Sequence, residues 1–224
     1  MALLLCVDSS TTHASVAVAK DGVLLGIKTN TTQKDHASFL QPAVYTLLQE
    51  LQLTVKQLEA VAVTTGPGSY TGLRVGLSSA KGLCFALNIP LIGIHTTQVI
   101  SAAARTHILE KDGFILCPMI DARRMEVFTA LYSPDLKELS PITSKVLTAD
   151  SFLELLERQP VYFIGDGSVK WQNICTNTNA RFSTTNWNSA DMIYLGEQLY
   201  NAKQFLSLAY SAPDYGKGFH AVNQ

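Results

Sequence analysis

Apolar and polar residues along the first third of the chain predict three strands followed by one helix. Residues 2–8 (ALLLCVD) form a short apolar run typical of a buried strand. Residues 13–30 predict two further strands joined at Asp21-Gly22, a dipeptide that favours a tight hairpin. From His36 to Leu53 the apolar residues recur at the spacing of an amphipathic helix.

The order of strands followed by alternating helix and strand occurs twice along the chain. Residues 60–65 (AVAVTT) predict a buried strand, and residues 71–87 predict a long helix after a glycine-rich turn. The run LIGIH predicts a strand, and a helix is expected over residues 97–109. The runs FILCPMIDA and MEVFTALYS predict a second strand pair, SFLELLER a helix and VYFIGD a strand. The repetition predicts an α/β fold of two related three-layer halves, residues 1–110 and 111–224.

Composition and charge restrict the classes of function. With 224 residues and 47% hydrophobic content, the chain can bury a full core. The formal net charge of −1 shows no excess of Lys and Arg for binding a phosphate backbone, although local clusters of basic residues can still form in the fold. Four separated cysteines, no run of 18 apolar residues and no signal-peptide pattern predict a cytoplasmic protein.

The turn after residue 65 resembles a phosphate loop only in its glycine content. Residues 66–73 (GPGSYTGL) contain no lysine at the Walker position, and Thr71 stands where the dinucleotide fingerprint needs its third glycine. Ser69 does not match the spacing of a nucleophile elbow. A sharp strand-to-helix connection is therefore favoured over phosphate binding.

The helix after this turn carries a stripe of small residues. Gly72, Gly76 and Ala80 lie four apart with Ser79 beside them, while much of the remaining surface is apolar. Each glycine inside a helix costs about 1 kcal/mol relative to alanine, so the stripe indicates close approach of another backbone. That backbone belongs either to this chain or to a second protein, and the pattern leaves both open.

Four segments of the chain occur together in one known family. They are GPGSYTGLRVG at 66–76, VDSSTTHASVAV near the start, HASFLQPAV and IDARRMEVF at 120–128. Together they resemble the TsaB (YeaZ) family of bacterial proteins, which are needed to make threonylcarbamoyladenosine on tRNAs. The resemblance covers about the first 130 residues. It implies an actin/Hsp70/sugar-kinase (ASKHA)-like fold. It also implies a non-catalytic partner of the related subunit TsaD, which carries the metal and the transfer chemistry, with the ATPase TsaE completing the complex.

The resemblance further implies an interface made by two helices, which would form a homodimer alone and a heterodimer with the catalytic homologue. Transfer RNA would then be met only indirectly. The predicted interface residues are His36, Phe39, Leu40, Ala43, Leu47, Tyr70, Gly72, Arg74, Val75, Gly76, Ser79 and Ala80.

Catalytic relatives of this fold class place a D-x-G-[ST] hairpin around phosphates, and here that pattern is degraded twice. Ser10 replaces the glycine after Asp8, and the segment 121–124 (DARR) also lacks it. We therefore predict no catalytic residue and no cofactor beyond weak nucleotide binding at a partner interface. Residues of a residual nucleotide site or cleft would be Asp8, Ser10, Thr11, Asp121, Arg123, Arg124, Gly165 and Gly167. The five histidines include no i, i+4 pair, so no metal site is predicted.

Two interpretations stay open for each of two short segments and for the chain as a whole. Asp121, Arg123, Arg124 and Glu126 form either a solvated loop or a clamp for a carboxylate or phosphate. Residues 165–168 (GDGS) form either a strand-to-helix turn or a remnant of an adenosine-contacting turn. The chain as a whole is predicted to be a scaffold, and the alternative is a stand-alone kinase or ATPase of the same fold.

Overall fold

A computed structural model describes residues 2–31 and 35–216 and divides the chain into two compact units. The first unit contains the described residues of 2–99 and 187–214, and the second contains 100–186 and 215–216. This division differs from the expected halves in two ways. The boundary lies between residues 99 and 100 instead of 110 and 111, and residues 187–214 return to the first unit.

The first unit is built on a five-stranded sheet of order β3-β2-β1-β4-β5. Strand β1 pairs antiparallel with β2 and parallel with β4, so β1 and β4 are buried along their whole length. The elements are β1 (Leu3–Asp8), β2 (Ala14–Lys20), β3 (Val23–Asn30), α1 (His36–Glu50), β4 (Ala60–Gly66), α2 (Tyr70–Leu87) and β5 (Leu91–His95). Helix α3 (Thr96–Arg105) runs across the boundary between the units.

The second unit repeats this topology in a sheet of order β10-β9-β6-β7-β8. Strand β6 pairs antiparallel with β7 and parallel with β9, as β1 does with β2 and β4. The elements are β6 (Ile115–Asp121), β7 (Glu126–Tyr132), β8 (Glu138–Val146), α4 (Leu153–Leu156), β9 (Val161–Ile164), α5 (Ser168–Gln172) and β10 (Ala180–Ser183). The equivalent pairing confirms the predicted fold of two related α/β halves.

Several elements were not predicted from the pattern. They are β8, β10 and α6 (Ile193–Asn201), and the predicted helix around SFLELLER shortens to four residues. Helix α6 lies against β1 and β5 with Ile193, Leu195 and Gly196 buried. This packing is what returns the segment 187–214 to the first unit.

Helix α2 turns its small residues toward its own sheet. A Cβ added at Gly72 would lie 2.1 Å from the carbonyl oxygen of Ser9, and one at Gly76 would lie 2.2 Å from the Ser9 Oγ. Ala80 is completely buried in the same core. The backbone that the small-residue stripe approaches is therefore this chain's own, which decides between the two alternatives left open by the sequence.

We expect Gly72→Ala to lower the free energy of unfolding by about 1–3 kcal/mol, because the new methyl group would overlap a backbone oxygen that cannot rotate away. Gly82 lies in the same helix but is exposed, and a Cβ added there meets nothing within 4 Å. Gly82→Ala should therefore stabilise the protein by about 0.5–1 kcal/mol. Urea denaturation of both variants measures the difference, and equal effects would contradict the packing of α2.

Candidate functional site

The turn after β1 and the glycine-rich turn after β4 interlock. The Ser69 N–H donates to the carbonyl oxygen of Ser10 at 2.7 Å, and a Cβ at Gly68 would lie 2.2 Å from the same oxygen. The Gly72 N–H donates to the Ser69 side chain at 3.2 Å, which caps α2. Backbone donors that a phosphate loop would offer to a ligand are therefore used within the chain, in agreement with the expected structural turn.

Asp8 lies at the end of β1 and is 3% exposed. Its Oδ1 accepts hydrogen bonds from the Ser10 N–H at 3.0 Å, the Ser10 hydroxyl at 2.7 Å and the Thr64 hydroxyl at 2.9 Å. Burial raises the pKa of this carboxyl, and the three hydrogen bonds oppose that rise. The predicted cleft residues Asp8 and Ser10 are thus bonded to each other in a largely closed environment.

His36 begins α1 and anchors that helix to the β1 turn. Its Nε2 donates to the carbonyl oxygen of Thr11 at 2.8 Å, and the residue is 8% exposed. The ring edge also lies over Gly72, since a Cβ added there would be 3.1 Å from the His36 Cδ2. The contacts place His36 inside its own unit, where it joins α1, α2 and the turn after β1.

The charged residues of the second unit surround the turn between β6 and β7. The Asp121 Oδ1 accepts from the Arg123 N–H at 2.6 Å and from the Lys170 ammonium at 2.6 Å. Although burial opposes it, the Lys170 ammonium holds the pKa of Asp121 below its ordinary value. The neighbouring Asp166, which accepts from the Asp121 N–H at 3.0 Å, has its pKa raised by burial.

Gly165 and Gly167 pack on the end of β6. A Cβ at Gly165, where φ is +97°, would lie 2.6 Å from the Met119 carbonyl oxygen, and the Gly167 N–H donates to that oxygen at 3.0 Å. Ser168 is the first residue of α5, and its hydroxyl donates to the Gly165 carbonyl at 2.7 Å. Residues 165–168 thus form a strand-to-helix turn, with Gly167 at the cap position of α5. Contact of this turn with adenosine stays a prediction.

Burial narrows the predicted two-helix interface. His36, Leu40, Ala43, Leu47, Gly72, Gly76 and Ala80 are buried in the core of their own unit. This corrects their assignment to a partner surface, because the sheet already covers them. Tyr70 and Arg74 are exposed, with an Arg74 to Tyr70 hydroxyl hydrogen bond of 2.7 Å, and Phe39, Val75 and Ser79 are partly exposed. Contact of this remaining group with a partner stays a prediction.

The outer face of the helix pair carries apolar groups that the predicted set lacked. Phe85 on α2 is 81% exposed and Tyr45 on α1 is 65% exposed. Tyr45 also lines a groove of about 430 Å³, together with Gln41, Val44, Leu48, Gln49, Leu53, Thr54, Val55 and Leu83. Because the sequence of α2 is apolar on most of its surface, the exposed Phe85 could not be distinguished from the buried apolar residues of the same helix.

Within residues 2–31 and 35–216, no helix is long and apolar enough to cross a membrane. The same part of the chain holds no group of three or more His, Cys, Asp or Glu side chains placed to bind a metal ion.

Comparison with known proteins gives the family. Residues 9–217 match the family model described as TsaD, tRNA N6-adenosine threonylcarbamoyltransferase. The tRNA threonylcarbamoyladenosine biosynthesis protein TsaB of Bacillus subtilis is 33% identical over 177 residues, which is 76% of this chain and 74% of that protein. The chain belongs to the TsaB (YeaZ) family. The Escherichia coli TsaB is 31% identical over 133 residues, which is 59% of this chain but only 55% of that protein.

Solved structures agree with this TsaB-family fold. A crystal structure titled as an uncharacterized protein with similarity to peptidase YEAZ from Pseudomonas aeruginosa superposes with a TM-score of 0.83 at 22% identity. The match covers 97% of this chain and all of the other. The ethanolamine utilization protein EutJ from Carboxydothermus hydrogenoformans reaches a TM-score of 0.50 over 85% of this chain and 88% of its own, at 13% identity.

The buried carboxyl of this TsaB-family chain predicts a pH-dependent difference in stability. Because the pKa of Asp8 is raised in the folded state, its contribution is fully present below the ordinary value and is lost as the pH rises through the folded value. Asp8→Asn keeps an oxygen for the three hydrogen bonds but carries no charge.

We therefore expect the free energy of unfolding of Asp8→Asn, relative to the unaltered protein, to increase as the pH rises from 3 to 8. Urea denaturation across this pH range measures it. Asp112→Asn, at an exposed position, controls for the loss of one negative charge. A difference that falls with increasing pH would contradict the assignment.

Proposed function

We propose that this chain is a non-catalytic scaffold subunit of the complex that forms threonylcarbamoyladenosine at the adenosine next to the anticodon, in tRNAs reading codons that begin with A. In this proposal it binds a TsaD-like catalytic homologue through α1 and α2, and a TsaE-like ATPase joins the pair. It forms a homodimer when the homologue is absent. A nucleotide is bound only weakly, at a partner interface, and the chain meets tRNA only indirectly, through the catalytic subunit.

The closed turns support a non-catalytic role. A phosphate-binding turn needs free backbone N–H groups directed at the ligand. Here the N–H groups of Ser69 and Gly72 are bonded within the chain, and the carbonyl of Ser10 fills the space beside Gly68. Asp8 is likewise held by three internal hydrogen bonds rather than presented to a ligand.

The exposed apolar face of α1 and α2 is the observation that carries the scaffold role. Phe85 on α2 and Tyr45 on α1 are both largely exposed, and Tyr45 lines the groove of about 430 Å³. Burying one such aromatic side chain against a partner contributes about 1.5–3 kcal/mol. Exposed apolar surface of this kind marks protein interaction sites, and a central aromatic residue often dominates the binding energy.

We expect Phe85→Asp to weaken heterodimer formation with the TsaD-like homologue from the same genome by about 30-fold or more. The fold should be unaffected, because the side chain is already 81% exposed. Leu109→Asp is the matched control, since Leu109 is 95% exposed but lies outside the helix pair. Size-exclusion chromatography with light scattering, on each variant alone and mixed with the homologue, measures homodimer and heterodimer formation.

Unchanged heterodimer formation by Phe85→Asp would remove the helix pair from the interface, and a monomer indifferent to the homologue would overturn the scaffold role. An ATP turnover assay on the pure protein, with and without magnesium, tests the alternative. Robust turnover abolished by Asp8→Ala would replace the scaffold with a stand-alone ATPase.

A further inference from the structure

The turn between β6 and β7 holds two adjacent arginines in an unfavourable backbone conformation. Arg123 has φ +72° and Arg124 has φ +49°, both in the left-handed region. Residues other than glycine, asparagine and aspartate rarely adopt it, and strain of this kind often marks functional positions. Stability of the turn alone would therefore not favour arginine at these two positions.

The backbone of the turn is fixed by its own hydrogen bonds. The Ala122 N–H donates to the Glu126 carbonyl at 3.1 Å, and the Glu126 N–H donates to the Arg123 carbonyl at 3.1 Å. The Arg123 N–H is held by the Asp121 carboxylate at 2.6 Å. Of the arginines these bonds use main-chain atoms only, so their side chains are not required to form the turn.

The two guanidinium groups have no partner within the described residues. Both arginines are exposed, and no hydrogen bond or ion pair of either side chain occurs there. The carboxylate of Asp121, at the start of the turn, is paired with the Lys170 ammonium at 2.6 Å. The end of the hairpin consequently presents two uncompensated positive charges side by side.

We propose that Arg123 and Arg124 contact the phosphate backbone of tRNA, an inference that rests on the proposed function but adds a direct tRNA contact to the indirect one expected there. The planar guanidinium matches phosphate oxygens in a two-bond geometry. Free nucleotides share this chemistry, but small-molecule sites are concave and enclose most of the ligand, whereas these arginines lie exposed on a hairpin turn. An extended backbone can be met by such a turn without enclosure.

Two contacts are compatible with the chain's net charge of −1. They would supplement the binding by the catalytic subunit instead of replacing it, and each contact adds about 0.7–0.9 to the slope of log affinity against log salt. The arginine pair therefore has a measurable signature even where its share of the total affinity is small.

The test is tRNA binding by fluorescence anisotropy at several potassium chloride concentrations, for the complex with the homologue and for the chain alone. Arg123→Asn with Arg124→Asn removes both charges and suits the left-handed backbone. We expect the salt slope of the complex to fall by about 1.4–1.8 and the affinity at low salt to fall about tenfold. Arg158→Asn, at an exposed arginine of the same unit, should change neither.

Restoring charge with Arg123→Lys and Arg124→Lys should recover the salt slope, which a purely structural role of the arginines would not produce. An unchanged slope and affinity in the double asparagine variant, with the thermal melt intact, would overturn the proposal. So would loss of ATP binding in that variant with unaltered tRNA binding, because the turn would then serve a nucleotide.

Light scattering on the same samples separates this proposal from the scaffold proposal. If the unaltered chain forms no heterodimer, the scaffold role fails. The arginine contact is then judged on the chain alone: reduced tRNA binding in the asparagine variant supports it, and equal or undetectable binding by both proteins overturns it.

Discussion

The close contact between the Ser9-Ser10 backbone and the glycine face of α2 determines the arrangement of the first unit. The Ser9 carbonyl lies where a Cβ of residue 72 would be, and the Ser10 carbonyl accepts the Ser69 N–H. Together with the hydrogen bond from His36 to Thr11, this contact joins the end of β1 to the beginnings of both α1 and α2. The outward face of the helix pair is therefore fixed by packing that occurs on its inward face.

The same contact explains why a glycine-rich turn after a buried strand does not serve as a phosphate loop here. Glycine at positions 68, 72 and 76 permits a backbone to approach, and the approaching backbone is the chain's own. Donors and space that a ligand would need are occupied in the folded state. A sequence pattern of glycines thus indicates close approach, but only the tertiary structure identifies what approaches.

The sequence allowed the duplicated fold to be predicted because its buried strands and the helix α2 are strongly apolar. Strand β8 was missed because it is an edge strand with mostly exposed, polar residues, and α6 because its docking on β1 depends on distant residues. The sequence left open whether the small-residue stripe meets a partner or the home sheet for a related reason. Periodicity shows that one face of a helix carries small residues and another carries apolar residues. It does not show which of these faces packs against the chain's own sheet.

The two units have equivalent sheets but unequal helices, and this difference separates their proposed roles. Helices α1 and α2 contain 15 and 18 residues, whereas their counterparts α4 and α5 contain four and five. The longer pair carries the exposed Phe85 and Tyr45, through which we propose contact with a protein partner. The second unit exposes a charged hairpin at the end of β6. Since the proposed protein contact and the proposed phosphate contact lie in different units, each can be altered by substitution and examined independently.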